Sequence, residues 1–174
     1  DELVACKLTS GKDEIFLATA SGKAIRFPEK QVREMGRAAS GVRGVRFGVK
    51  KDELIALEIS DPQAKVLTVT TLGFGKKSTF KDYRLQSRGG KGVINVKLTS
   101  KNGQVAGVLA VREQDELILV TTGGMAVRVP VNQIRTSGRA AQGVRVIRLR
   151  EKDRVASAAR VFAQEEEEST SAKS

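Results

Sequence analysis

Gln86-Ser87-Arg88-Gly89-Gly90-Lys91-Gly92 is a basic, glycine-rich stretch that lies between two runs of alternating apolar residues. Related stretches lie 51 residues to either side, at Met35-Gly36-Arg37-Ala38-Ala39-Ser40-Gly41 and Ser137-Gly138-Arg139-Ala140-Ala141-Gln142-Gly143. All three share the pattern Arg-x-x-x-Gly-Val. A pattern that recurs at a fixed spacing indicates a repeat protein, so this turn marks corresponding positions in successive repeats.

The composition of this turn allows two interpretations. Glycine permits positive φ and lets another backbone or a phosphate approach closely. Exposed backbone N–H groups beside Arg and Lys would suit a phosphate oxygen. The simpler alternative is a basic hairpin turn between strands, because Gly-Gly and Lys-Gly turns are common. The turn alone leaves both interpretations open.

Each repeat predicts four short strands. A β-rich run, a glycine turn and a second β-rich run predict a hairpin, as at 15–20 and 23–27. Pro28 and Pro130 are expected to end the second strand of their hairpins. A third strand follows each Arg-x-x-x-Gly turn, at 42–47, 93–98 and 144–149, and the fourth strands are expected at 54–59, 105–111 and 155–162.

Four strands per unit at a period near 50 residues predict an all-β, propeller-like fold with three four-stranded blades. The expected blades are 13–60, 64–111 (which contains the box-like turn 86–92) and 115–162. Residues 1–9 match 52–60, so residues 1–12 are interpreted as the end of a preceding blade. Residues 163–174 are expected to form a disordered acidic tail.

The composition points to a polyanionic partner. Among 174 residues, 31 Lys and Arg face 20 Asp and Glu, which gives a net charge of +11. Nucleic acid is the first candidate for such a basic chain and an anionic membrane the second, although no apolar run approaches the roughly 20 residues of a membrane span. The lack of histidine excludes His-based catalysis, and no metal cluster stands out. The lone Cys6 excludes a disulfide framework and is predicted to be buried.

Four positions of the repeat are basic in every copy, and these columns predict the site. In blades arranged around an axis, one column becomes a ring of charge, and such rings could follow the phosphates of a bent duplex. The alternative is that cations on solvated sheet edges prevent edge pairing. Tyr83 is expected to pack or to bind a phosphate, since nothing in the sequence would activate it as a nucleophile. The predicted DNA contacts are Lys91 of the turn and the four columns Arg26, Lys77 and Arg128; Arg33, Arg84 and Arg135; Arg37, Arg88 and Arg139; and Arg46, Lys97 and Arg148.

The repeat pattern and the turn resemble the C-terminal domain of the bacterial DNA gyrase A subunit, with the paralogous domain of topoisomerase IV as the near alternative. That domain is a six-bladed β-pinwheel whose blades exchange strands. The family signature is Gln-Arg-Arg-Gly-Gly-Lys-Gly. The turn differs from it only at Ser87 and matches it at Gln86, Arg88, Gly89, Gly90, Lys91 and Gly92. The signature belongs to the first blade of the family, whereas here it lies in the second complete repeat. The resemblance therefore implies that the chain corresponds to the last three blades of the domain, and that the turn at 86–92 is a degenerate copy of the signature.

The resemblance also implies a function. It suggests a non-catalytic domain whose basic rim binds and wraps double-stranded DNA within a type II topoisomerase that introduces negative supercoils. The implied partners are DNA, the gyrase B subunit, plus the rest of the gyrase A subunit, in the bacterial cytoplasm and away from membranes. No cofactor is expected in this chain, because ATP and Mg would be used by other domains of the parent enzyme. The alternatives are a propeller-like module that docks an acidic protein and an RNA-binding repeat protein.

Overall fold

Short strands joined by tight turns make up nearly all of the regular structure in a computed structural model that describes residues 2–49 and 51–163. The only helical segments in those ranges are three single-turn 3-10 helices, Glu29–Gln31, Phe80–Asp82 and Val131–Gln133. The prediction of an all-β chain is therefore confirmed. In chain order the strands are β1 (Glu14–Thr19), β2 (Lys23–Pro28), β3 (Leu54–Ile59), β4 (Lys65–Thr70), β5 (Phe74–Thr79), β6 (Val93–Ile94), β7 (Val105–Val111), β8 (Glu116–Thr121), β9 (Ala126–Pro130), β10 (Val144–Arg145) and β11 (Val155–Val161).

Each repeat forms an antiparallel hairpin with a further strand beside it. β1 pairs with both β2 and β3, β4 with both β5 and β7, and β8 with both β9 and β11. The hairpin turns carry glycine at positive φ, as at Gly22 with φ 79° and Gly73 with φ 79°. A side chain could not fit at Gly73, because an added Cβ would lie 2.7 Å from the carbonyl oxygen of Ile147. The predicted hairpins are thus present in all three repeats.

The fourth strand of a sheet comes from the next repeat. The strand orders are β3-β1-β2-β6, β10-β5-β4-β7 and β11-β8-β9. β6 pairs with Lys23 and Ala24 of β2, and β10 pairs with Phe74 and Gly75 of β5. The expectation that one repeat supplies all four strands of its blade is therefore corrected, and the strand exchange that the resemblance implies is present. Within the described ranges the third sheet has three strands.

The predicted third strands are shorter than expected. In the second and third repeats, only two residues of the predicted third strand form a paired strand. In the first repeat, residues 42–47 form no strand. The apolar alternation that suggested longer strands arises instead from packing, because Val96 and Ile147 enter hydrophobic clusters just after β6 and β10. A side chain that alternates in burial need not belong to a paired strand.

The hydrophobic core lies mainly between consecutive sheets. One cluster joins Phe16 and Ala24 of the first repeat to Phe80, Val105 and Val108 of the second. The ring of Phe16 meets that of Phe80 edge-on at a centroid distance of 5.4 Å. A second cluster joins the second repeat to the third, and a third one fills the first sheet. Each repeat therefore depends on its neighbours for burial, as in other repeat proteins.

The N-terminal segment departs from the prediction. Residues 2–12 form no strand, and Leu3 and Leu8 are 84% and 98% exposed. Cys6 is also exposed, so its predicted burial is wrong. The segment has the apolar alternation of a strand but pairs with no sheet among the described residues. The predicted acidic tail lies outside those residues except for Ala163, and no helix within them is long and apolar enough to cross a membrane.

Candidate nucleic-acid interface

The glycine turns pack against the sheet of the preceding repeat. An isolated bridge joins Leu85 to Arg26, and the corresponding bridge joins Thr136 to Lys77. The box-like turn that follows Leu85 therefore lies over the first sheet and not over the second, although the sequence assigns it to the second repeat. The cause is the strand exchange, which carries the whole segment across the boundary between repeats.

The repeated glycine of the Arg-x-x-x-Gly pattern is required by this packing. Gly92 has φ 69°, and an added Cβ would lie 2.3 Å from the carbonyl oxygen of Ala24. Gly143 has φ 86° and would place a Cβ 2.8 Å from the carbonyl oxygen of Gly75. Both glycines are therefore explained by close approach of an edge strand. At these two positions the approaching group is another backbone.

The arginines of the 37/88/139 column join successive repeats. Arg88 donates from Nε to the carbonyl oxygen of Gln31 at 2.9 Å and from Nη1 to that of Arg43 at 2.6 Å. Arg139 donates to the carbonyl oxygen of Ile94, which is the position equivalent to Arg43. Both guanidinium groups are half-buried, whereas Arg37 is exposed. The charge of Arg88 and Arg139 is thus partly used to hold one repeat against the one before it.

The 26/77/128 column is matched by carboxylates. Arg26 lies 3.4 Å from Glu14, and Arg128 pairs with Glu116. Lys77 is only 2% exposed, and its ammonium pairs with Glu113 at 2.5 Å. In the second repeat Lys65 occupies the position that Glu14 and Glu116 hold in the other two repeats, so Lys77 pairs with Glu113 instead. These three cations were predicted as DNA contacts, but their charge is largely compensated within the chain, and Lys77 does not reach the surface.

The remaining predicted cations project into solvent. Within the described ranges none of their side chains forms an ion pair or a hydrogen bond. They are called the exposed cations below. They comprise Arg33, Arg84 and Arg135, then Arg46, Lys97 and Arg148, together with Lys91 of the box-like turn.

Backbone contacts bring several exposed cations to the same place. The backbone N–H of Arg46 donates to the carbonyl oxygen of Gly90 at 2.9 Å, next to Lys91. One repeat later, the backbone N–H of Lys97 donates to the carbonyl oxygen of Ala141 at 3.2 Å. The 46/97/148 column therefore borders the glycine turns, and Arg84 lies at the start of the segment that forms the first of these turns. The result is a patch of cations beside the turn at 86–92 and a second one beside the turn at 137–143.

The sequence prediction missed a further column of lysines at positions 50, 101 and 152. Lys101 and Lys152 are exposed on turns that precede β7 and β11, and Lys50 lies outside the described residues. The same 51-residue register contains this column, although the four predicted columns do not include it. The described basic surface is thus larger than the four predicted columns.

Tyr83 is part of the core. Its side chain is fully buried, its ring meets that of Phe16 at 4.8 Å, and its hydroxyl donates to Oδ1 of Asn95 at 2.5 Å. Burial raises the pKa of Tyr83 well above its ordinary value. A buried, protonated phenol is unsuited to nucleophilic attack, and it does not contact solvent where a phosphate could bind.

Comparison with known proteins gives consistent matches along the chain. The family described as "DNA gyrase C-terminal domain, beta-propeller" matches three segments, 13–61, 64–112 and 115–161. The DNA gyrase A subunit of Staphylococcus aureus strain MRSA252 is 42% identical over 147 residues. That match covers 83% of this chain and 16% of the relative, so the chain spans a small part of the curated relatives that it matches.

Solved structures share the arrangement of the sheets. The C-terminal domain of DNA topoisomerase IV superposes with a TM-score of 0.82 at 27% identity, over 89% of this chain and 48% of that one. The DNA gyrase A C-terminal domain superposes with a TM-score of 0.80 at 25% identity, over 87% of this chain and 51% of that one. The chain therefore matches about half of each of these structures.

Proposed function

Because this chain belongs to the DNA gyrase C-terminal domain family, we propose that it binds double-stranded DNA along a basic rim and bends or wraps it. The resemblance inferred from the sequence and the propeller-like fold are confirmed by the family match and by the two structural neighbours. The DNA contact is our inference from the charge pattern. The chain would act without catalysing a reaction itself.

The observation that carries the proposal is the set of exposed cations around the glycine turns. Six of these seven residues belong to two columns that are basic in all three repeats. Their side chains have no carboxylate partner among the described residues, whereas the 26/77/128 column has one in every repeat. Uncompensated charge at a regular spacing is suited to neutralising successive phosphates along a duplex. A requirement for solubility alone would not place the compensated and uncompensated charges in separate columns.

The mechanism would rest on the phosphate backbone and on DNA deformation. A duplex that contacts cations on one blade and then on the next must follow the curvature of the rim, and bending it costs free energy that the added phosphate contacts offset. The shared cores and the arginine contacts between repeats would keep that curvature fixed. Such binding would tolerate many sequences, because phosphate contacts position a duplex without reading its bases.

The parent protein would be the A subunit of a bacterial DNA gyrase, working with the gyrase B subunit in the cytoplasm. The wrapped segment would be presented to a strand-passage gate with one handedness, which would allow negative supercoils to form. Catalytic residues, ATP and Mg would belong to other domains. This part of the proposal rests on the relatives, of which the chain covers 16%.

The test compares two triple variants of equal charge. The first replaces Arg33, Arg84 and Arg135 with Gln, and duplex affinity is measured across a salt series. Each lost phosphate contact should reduce the magnitude of the log–log salt slope by about 0.9, so three lost contacts should reduce it by up to about 2.7.

The matched control replaces Lys12, Lys51 and Arg150, three exposed cations outside the repeated columns, with Gln. It removes the same net charge, and we expect a slope close to that of the unaltered chain. Equal slopes for the two triple variants would show that net charge alone governs binding, and this result would contradict the proposed rim.

Wrapping requires its own measurement. A nicked circular duplex is incubated with the chain, ligated and deproteinised, and its linking number is determined. Wrapping of one hand should shift the topoisomer distribution in one direction. The first triple variant should shift it less. If the unaltered chain binds the circle but leaves the distribution unchanged, DNA binding would stand and wrapping would be rejected.

A further inference from the structure

Lys76 on β5 is a buried cation that the proposed DNA rim does not use. Its side chain is 1% exposed, in the second sheet. The equivalent residues are Ile25 in the first repeat, which is fully buried, and Val127 in the third. A lysine therefore occupies a position that other repeats fill with an aliphatic side chain. Burying an ammonium group costs free energy unless it is paired and hydrogen-bonded.

The ammonium of Lys76 has little compensation. It donates to Oγ of Ser78 at 2.7 Å, which uses one of its three donors. No carboxylate in the described part of the chain forms an ion pair with it. Burial lowers the pKa of Lys76 to about 8, Asp82 acts in the opposite direction, and Arg139 lowers the pKa further. Lys76 thus retains donors for a group that the chain itself does not supply.

A second buried polar group lines the same cavity. The cavity has a volume of about 280 Å³, and Lys76, Arg135, Ser137 and the turn residues 141–144 line it. The hydroxyl of Ser137 is buried there and has no hydrogen-bond partner among the described residues. Buried polar atoms in folded proteins are rarely without a partner, so an unmatched hydroxyl beside an under-compensated ammonium points to a missing acceptor.

The shape of the cavity follows from the strand exchange. The third repeat's glycine turn lies over the second sheet as the box-like turn lies over the first. In the first sheet the side chain of Ile25 lies under the turn, where a Cβ added at Gly90 would meet its Cδ1 at 3.4 Å. In the second sheet, Lys76 and a cavity take that place. Arg135 adds a second, exposed cation to the lining, and no acidic residue lines the cavity.

We propose that this cavity binds one phosphate group, with Lys76 and the Ser137 hydroxyl as inner donors and Arg135 at the mouth of the cavity. A phosphate provides several acceptor oxygens and the negative charge that the ammonium lacks. Two sources share this chemistry, free inorganic phosphate and a backbone phosphate of DNA. The site itself does not depend on the DNA-binding proposal, because it rests on burial and on unmatched donors.

Thermal unfolding with inorganic phosphate tests the site. Phosphate is titrated against chloride at constant ionic strength, and a ligand that binds only the folded chain raises Tm as its concentration exceeds Kd. We expect this rise in the unaltered chain and in Lys12→Met, which removes an exposed lysine of the first repeat. It should be absent in Lys76→Met and weakened in Arg135→Gln, an exposed position where the substitution leaves the core intact. No rise in the unaltered chain, or equal rises in all four proteins, would overturn the proposal.

A DNA arm distinguishes the two sources. If a backbone phosphate occupies the cavity, Lys76→Met should reduce the magnitude of the log–log salt slope of duplex binding by about 0.9. If the phosphate-dependent rise in Tm is present but the slope is unchanged, the site would be assigned to free phosphate. Weaker duplex binding in an Arg33→Gln, Arg84→Gln variant, which leaves Arg135 and the cavity lining intact, with the phosphate effect on Tm retained in that same variant, would separate this site from the proposed DNA rim.

Discussion

Replacing Lys76 with Met should remove the pH dependence that this buried ammonium imposes on stability. The pKa of Lys76 falls from an ordinary value of 10.5 to about 8, mainly because burial disfavours the charged form. Asp82 opposes that fall and Arg139 adds to it. Between these two pH values the unfolded chain holds a proton that the folded chain has released. The free energy of unfolding therefore rises as pH increases from about 8 to 10.5.

The magnitude follows from the size of the shift. One pKa unit corresponds to about 1.4 kcal/mol, so the full interval is worth about 3 kcal/mol. Met fills a similar volume without the charge. At pH 7 in chloride buffer, the Lys76→Met variant should thus be the more stable protein, and its advantage should shrink as pH approaches 10.

The assay is urea denaturation of both proteins at several pH values between 7 and 10. Titration of all other groups largely cancels when the free energy of unfolding of one protein is subtracted from that of the other. Lys101→Met serves as a control for the loss of an exposed lysine, and its difference from the unaltered chain should stay nearly constant. A constant difference for Lys76→Met as well would refute the argument, because it would mean that burial imposes no cost on the ammonium.

Three further substitutions test how the repeats are held together. Gly92→Ala should destabilise the chain by more than about 2 kcal/mol, through positive φ and the clash with an edge-strand carbonyl, whereas Gly138→Ala should be close to neutral in the same urea titration. Glu113→Gln should lower the free energy of unfolding by about 1–3 kcal/mol because it leaves a buried ammonium unpaired, while Glu116→Gln at an exposed pair should cost under about 1 kcal/mol. Arg88→Ala should cost about 1 kcal/mol of stability by removing two bonds to backbone carbonyls of the first repeat, as measured by thermal unfolding.

Each of these has a clear contrary result. Equal effects of the two glycine substitutions would mean that the turn relaxes away from the first sheet. Equal effects of the two glutamate substitutions would mean that the buried lysine reaches water when its partner is lost. An Arg88→Ala variant of unchanged stability but with a smaller salt slope would assign this arginine to the DNA contact.

The 51-residue register predicted the repeat number, the hairpins and the basic columns, because these features depend on local sequence. It could not predict which sheet receives the third strand of each repeat, because that pairing is between residues about 70 positions apart, such as Lys23 and Ile94. The register also treats all members of a column alike. Arg26 and Lys77 look equivalent to the exposed arginines until the positions of Glu14 and Glu113 are known.

Burial was the other quantity that the sequence concealed. Lys76 stands in the alternating pattern of a strand, where a lysine normally indicates the solvent-facing side. Only the path of the next repeat's turn across β5 shows that this side is covered. Cys6 gives the opposite error, because its apolar neighbours predict a covered face and the structure leaves it exposed.

The strand exchange has a consequence for how such a chain matures during synthesis. A ribosome releases the first repeat before the residues that complete its sheet, since β6 begins at Val93. Until then the edge of β2 is an open template with unpaired N–H and C=O groups. The ring of Phe16 also lacks the packing that Phe80 and Tyr83 provide in the folded chain. Each of the first two nascent blades is therefore finished by its successor, so translation speed through one repeat sets how long the previous one stays exposed to misassembly.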